Sequence, residues 1–367
     1  MPVVIALCIS FVVPLLYLYV IRKLDLYGTG RFIYNLVALM WGGISYFLAG
    51  SINNILLING YITRGQLVCI AAPITEEILK ALILLYLVRR ADFNYVVDGA
   101  IYGFGAGIGF AIMENFEYIA GNPGTALPLA ILRVLSTNLL HATASAIIGS
   151  ILAILRNKRN FLQLLLAFGS IVPAAGLHMG FNAMVSDGGS LLIAIPLSLV
   201  GAGLIVVIIC KGMKIEQGWI GETLGAADRV TRSETAVVQR IHFLDDVLVP
   251  INRQFGPEKA FLAETIILTQ AEIGIKRKLL DETQDVTFRR KLEAEIHRLA
   301  AGMDEARKAV GPYCMLFLRT VYLEQNTRIW DAINQRVEMA RKGHAGGGLW
   351  STLGDRIRES NTKGDGS

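Results

Sequence analysis

The chain has 367 residues, 53% of them hydrophobic, and its mean hydropathy of +0.49 excludes an ordinary soluble domain. The net charge of +5 is modest, suggests no nucleic-acid partner, and fits basic residues that orient a membrane protein. Four cysteines (Cys8, Cys69, Cys210, Cys314) form no C-x-x-C pair and read as small packing residues, not a disulfide or zinc framework.

Charge is spread unevenly. Residues 1–210 hold 19 of the 65 Asp, Glu, Lys and Arg residues, and residues 211–367 hold 46. A membrane part is therefore expected to give way near Lys211 to a water-facing part. Seven apolar runs reach the length of about 20 residues that a helix needs to cross a bilayer. They cover roughly 2–21, 34–58, 66–88, 96–120, 127–155, 161–186 and 190–210. The first lacks a basic n-region and a small-residue cleavage site, so it reads as a retained span. Arg22, Lys23 and Arg31 follow span one. Arg89 and Arg90 follow span three, Arg156, Lys158 and Arg159 span five, and Lys211 and Lys214 span seven. The alternate loops are nearly free of Lys and Arg, with Arg64 and Arg133 as stray exceptions. The positive-inside rule then predicts an outside N-terminus and a cytoplasmic C-terminus in a cell membrane. Residues 215–342 space apolar residues at three and four, with breaks at "FGPEKA" and "AVGPYC", and predict a cytoplasmic helical domain. Residues 343–367 read as a flexible tail. The expected fold is thus all-α: a bundle of about seven membrane helices (1–210) and a helical domain (211–342).

Span three contains "APITEEILKALILLYLV", with Glu76, Glu77 and Lys80 inside an apolar run. A charge at the bilayer centre costs roughly 2.5–3.5 kcal/mol even on lenient scales. Span four carries Glu114, Asn115, Glu117 and Tyr118, span five Asn138 and His141, and span six His178 and Asn182. Glu76 and Lys80 are four apart and can pair; Glu77 points about 100° away. Counted at about 1.5 Å per residue, these groups fall at overlapping depths in the outer half to middle of the bilayer. The "GFGAGIG" of span four permits close helix packing and is no nucleotide loop, because no strand precedes it. Each feature alone has a structural reading. Together they make a functional site the better one.

Glutamates and histidines at one depth suit two activities. In hydrolysis, a carboxylate takes a proton from water while imidazole and amide N–H groups stabilise the oxyanion. A metal such as zinc, held by His141, His178 and a glutamate, can do part of this work. The second activity is proton or ion transport along a Glu/His relay, and it lacks the inverted repeat expected of many transporters. There is no H-E-x-x-H, which excludes a conventional zincin site.

The "EEILK" of span three, the "ENFEY" of span four and the two later histidines resemble the PrsW family of bacterial intramembrane proteases, within the CAAX protease and bacteriocin-processing superfamily. The resemblance covers about residues 60–190. It implies that Glu76 and Glu77 are the paired acidic residues and His178 the late histidine. Asn182 completes an HxxxN pattern, and His141 is similar to the earlier histidine, although Thr137 stands where a Phe is usual. Lys80 takes the place of the basic residue. The expected protein is an intramembrane endopeptidase acting on a membrane-anchored protein, loosely an anti-sigma factor. Glu76 is the expected base, Glu77 a second carboxylate or ligand, and His178 and Asn182 the oxyanion donors. His141 positions water or metal, with Lys80, Glu114, Glu117, Tyr118 and Asn138 in support; a metal set would be His141, His178 and Glu77. The alternative is a non-catalytic scaffold or receptor that holds a partner's helix in the same cavity. Residues 215–342 offer apolar faces for a cytoplasmic partner or a second copy of the chain.

Overall fold

Where water is absent, the backbone must satisfy its own N–H and C=O groups, and among the described residues every regular element is helical. The computed structural model describes residues 1–156, 165–166, 168–186, 191–225 and 228–320. Lys158, Arg159, the starts of the runs at 161 and 190, the loop after Ser186, His344 and the tail over 343–367 lie outside the described residues.

The membrane part comprises α1 (Pro2–Lys23), α2 (Phe32–Ile58), α3 (Ala72–Leu87), α4 (Val96–Gly121), α5 (Ala126–Leu135), α6 (Thr137–Leu155), α7 (Ile171–Val185) and α8 (Leu191–Thr223). Five candidate spans are long and apolar enough to cross a membrane: Pro2–Lys23, Phe32–Ile58, Val96–Gly121, Pro123–Leu155 and Leu192–Thr223. The run over 66–88 takes a different form. A helical turn at Arg64–Gln66 leads into a π-helical turn at Leu67–Ala71, and only then does α3 begin. Pro73 explains the widened turn, because it lacks an N–H and its ring crowds the carbonyl four residues back, that of Cys69. The run over 127–155 breaks at Ser136, whose hydroxyl donates to the Leu132 carbonyl (2.7 Å).

α4 is the central helix, packed most extensively against α6 and α2. Its apolar window is 94% buried, against 28% for α1 and for α2. Glycine makes this possible. A Cβ at Gly107 would run into the His141 carbonyl of α6, and one at Gly109 into the Leu39 carbonyl of α2. The two α4 faces therefore meet their neighbours backbone to backbone.

Beyond α8 lie α9 (Arg232–Gln239), α10 (Leu244–Phe255), α11 (Pro257–Glu282), α12 (Val286–Val310) and α13 (Pro312–Thr320). The two breaks read from sequence each join a glycine at positive φ (Gly256, +89°; Gly311, +86°) to a proline opening the next helix. These helices dock on the membrane part. Lys276 of α11, fully buried, donates to the Ala91 carbonyl and to Asn94 Oδ1, each at 3.0 Å. Burial lowers its ammonium below the ordinary pKa, and Glu272 opposes that shift. Arg31 pairs with Glu295 of α12 (3.1 Å), and Arg156 lies over the Phe288 ring (4.5 Å). Met1–Leu318 accordingly form one compact unit.

Candidate active site

α3 brings Glu76, Glu77 and Lys80 to the bundle interior. The four-residue spacing favours a Glu76–Lys80 pair, but the structure pairs Lys80 with Glu77 instead (Nζ–Oε1 2.5 Å), both side chains being 0% exposed. The i,i+3 spacing is as neighbourly as i,i+4. The Lys80 ammonium also sits 3.2 Å from His141 Nδ1 and 4.7 Å from the Phe110 ring centroid. These contacts hold it on the Glu77 side.

α6 presents His141 between two groups. Lys80 faces Nδ1, and Glu114 Oε2 of α4 lies 3.0 Å from Nε2. An ammonium has only donors, so Nδ1 accepts and Nε2–H donates to the carboxylate. Glu114 is in turn held by Arg133 Nη2 (2.7 Å). Arg133 Nε donates to Asn115 Oδ1 (2.7 Å), and Asn115 Nδ2 donates to Asn138 Oδ1 (2.7 Å). The guanidinium stacks 3.9 Å from the centroid of the Tyr118 ring. An arginine in an apolar helix is thus buried with its fork filled.

α7 supplies His178. Its Nδ1 donates to Glu77 Oε1 (3.1 Å), and its Nε2 lies 3.8 Å from Glu76 Oε2. The two imidazoles meet edge to face, centroids 4.7 Å apart. Glu76 Oε2 is buried and makes no hydrogen bond. One ligand atom each from Glu76, His141 and His178 lie within 4.8 Å of one another, and no other such group of His, Cys, Asp or Glu occurs among the described residues.

Other expected members lie elsewhere. Glu117 is exposed, and Tyr118 touches the site only through Arg133. Asn182 donates to the Val68 carbonyl (2.9 Å), one of the groups of the π turn, and so links α7 to the entry of α3. His242 and His297, never expected in the site, lie on the helices beyond α8 and are exposed. Arg133 is the residue that sequence reasoning passed over as a stray charge. Its signal was an arginine eight residues before His141 within one apolar run.

The site's chemistry suits a metal ion. One carboxylate and two imidazoles are a common hydrolytic zinc set. Glu76 Oε2 is an orphaned buried oxygen. Glu77 orients His178 as second carboxylates orient metal-bound histidines. Glu77 Oε1 is taken up by Lys80 and His178 while its Oε2, like that of Glu76, is buried and unpaired; it is Glu76 that clusters with both histidines. Both His141 nitrogens are engaged, so that one partner must be released when the ring takes a ligand role.

Residues 31–210 match the family model of the PrsW family intramembrane metalloproteases. No curated protein and no solved structure matches the chain. With charged groups gathered inside a bundle of membrane-spanning length, residues 31–210 are matched to the PrsW family of intramembrane proteases, and the apolar helices are those of a multi-pass membrane protein.

Proposed function

We propose that this protein is an endopeptidase that hydrolyses a peptide bond of a membrane-anchored protein inside the bilayer. One observation carries the reading. Glu76, His141 and His178, from three separate helices, converge within 4.8 Å with a carboxylate oxygen left unpaired. A buried oxygen without a donor is a ready acceptor for the proton of an attacking water. Glu76 takes that proton and returns it to the amine that leaves. Lys80 fixes Glu77, Glu77 fixes the tautomer of His178, and Arg133 fixes Glu114 against His141. Asn182 positions the turn before α3. Were a metal held by Glu76, His141 and His178, it would acidify the water and polarise the scissile carbonyl, and Glu76 would then serve as its ligand and not as the base.

The family resemblance supports a regulatory substrate of the anti-sigma type. The basic loops support an outside N-terminus, seven crossings counting α3 and α7, and cytoplasmic helices over 211–342, in a bacterial membrane. The test is Glu76→Gln in purified protein with a membrane-anchored substrate. The amide keeps the shape but not the basicity, so cleavage should stop while the helix content and elution volume stay unchanged. Cleavage at the wild-type rate would remove Glu76 as the base.

A further inference from the structure

A second buried polar group lies at the other end of α4. Asp98 is sixteen residues before Glu114, about 24 Å along the helix. It is 1% exposed. Its Oδ2 accepts the Asn94 N–H (2.8 Å), whereas Oδ1 is buried with no hydrogen bond at all. The α1–α2 loop folds over it. Asp25 turns that loop by accepting the N–H of Gly28 and of Gly30, each at 3.1 Å. At the point where Gly30 would carry a Cβ, Asp98 Oδ1 is 3.1 Å away, Asp25 Oδ2 3.4 Å and the Tyr102 hydroxyl 3.5 Å. Three oxygens face one small space that only glycine leaves open.

Two more groups belong to this recess. Glu216 of α8 is 1% exposed, and neither of its oxygens has a partner. Gly212 lies against Val96 and Val97, and Trp219 packs on Tyr95 (4.3 Å), so Glu216 between them sits beside the start of α4. The Tyr27 hydroxyl, two residues beyond Asp25 in the same loop, is buried and also without a partner. Nearby cations make no hydrogen bond to the free carboxylate oxygens, although the Arg22 charge acts on Asp25. Arg22 Nη2 is on the Gly30 carbonyl (3.5 Å), with Nη1 buried and unpaired, and Lys276 is on Asn94. Carboxylates buried without a partner are strongly unfavourable, so something neutralises them.

We propose that this recess binds a hard divalent cation of the magnesium or calcium class, joining the α1–α2 loop to α4 and α8. The donor set is oxygen only, which selects such ions over zinc. These carboxylates do not gather as tightly as the active-site ligands, so the ion keeps part of its water shell between itself and some of them. Asn94 connects the ion to the helices beyond α8. It holds Asp98 Oδ2 through its N–H and receives Lys276 on its side-chain oxygen. Occupancy therefore firms the docking of α11.

The test uses the full chain in detergent, stripped of divalent ions and titrated near neutral pH with MgCl2 or CaCl2 during thermal unfolding. Either ion should raise the midpoint by several degrees in the wild type and in Glu76→Gln, and not in Asp98→Asn. Without ions, Asp98→Asn should be more stable than the wild type, because it removes a buried charge. Tyrosine-sensitised Tb3+ emission, excited through Tyr27 and Tyr102, should appear in the wild type, be displaced by Ca2+, and be lost in Glu216→Gln. That second variant keeps the test decisive if Asp98→Asn fails to fold. The proposal is overturned if the wild type ignores both ions and gains stability only on acidification, which makes protons the neutralising species. It is overturned equally if Glu76→Gln alone abolishes the response, since the ion then sits in the active site.

Discussion

Lys80 offers the sharpest test of how the active site is held. Lys80→Met keeps most of the side-chain length and a sulfur against the Phe110 ring, but it removes the cation from Glu77 and from His141 Nδ1. Both members of the ion pair are 0% exposed, so no water replaces the lost ammonium. Breaking a buried pair from one side costs about 3–5 kcal/mol, because the remaining charge stays buried. At about 2–4 °C per kcal/mol, the midpoint should fall by about 6–20 °C, toward the lower end for a chain this long. Glu77→Gln should cost a similar amount, since it strands the ammonium. The double variant Lys80→Met/Glu77→Gln has no stranded charge. Its stability should return to within about 1–2 kcal/mol of the wild type, giving a coupling of about 4 kcal/mol or more. The assay is thermal unfolding of all four proteins in one detergent. Additive single effects, or a Lys80→Met protein as stable as the wild type, would refute the reasoning.

Three further outcomes are expected. Arg133→Gln should lower kcat by about 10–100-fold with KM near wild type, because Glu114 then no longer steadies His141; Arg133→Lys should recover part of this through its charge alone. Steady-state cleavage of a membrane-anchored peptide checks both variants, and unchanged kinetics would detach Arg133 from the site. A chelator should stop cleavage and zinc restore it, with elemental analysis finding about one zinc per chain in the wild type and almost none in His178→Ala. Gly107→Ala should destabilise by about 1–3 kcal/mol and depress activity by pushing α6 away at His141, whereas Gly180→Ala, which meets open space, should be neutral in the same unfolding assay.

The main polar groups were legible because charge inside an apolar run is conspicuous. Glu76, Glu77, Lys80, His141 and His178 all stand out this way, and the structure brings them together. Helical spacing did less well at choosing partners. It cannot rank Glu76 against Glu77 for Lys80, because the outcome depends on His141 from another helix. Arg133 escaped notice for a related reason. A single basic residue near a helix end reads as an orientation signal until the helix that faces it is known. The bends were hidden as well. Pro73 marks a disturbance, but it does not show that the preceding turn widens, and nothing in "RVLSTNLLH" announces the break at Ser136 as clearly as a proline would. The helices beyond α8 were legible from periodicity and from the Gly-Pro breaks. Their attachment through Lys276 was not, since a lysine on a charged helix is ordinarily a surface residue.

The enclosure of α4 bears on how lipid reaches the chemistry. When acyl chains lengthen or shorten, helices with lipid contact absorb the mismatch by tilting. The apolar windows of α1, α2 and α8 are only 22–28% buried and so are open to lipid, whereas that of α4 is 94% buried. Glu114 and the His141 carbonyl contact both belong to that shielded mast. Bilayer thickness therefore acts first on the outer helices, and Glu114 and His141 feel it only at second hand.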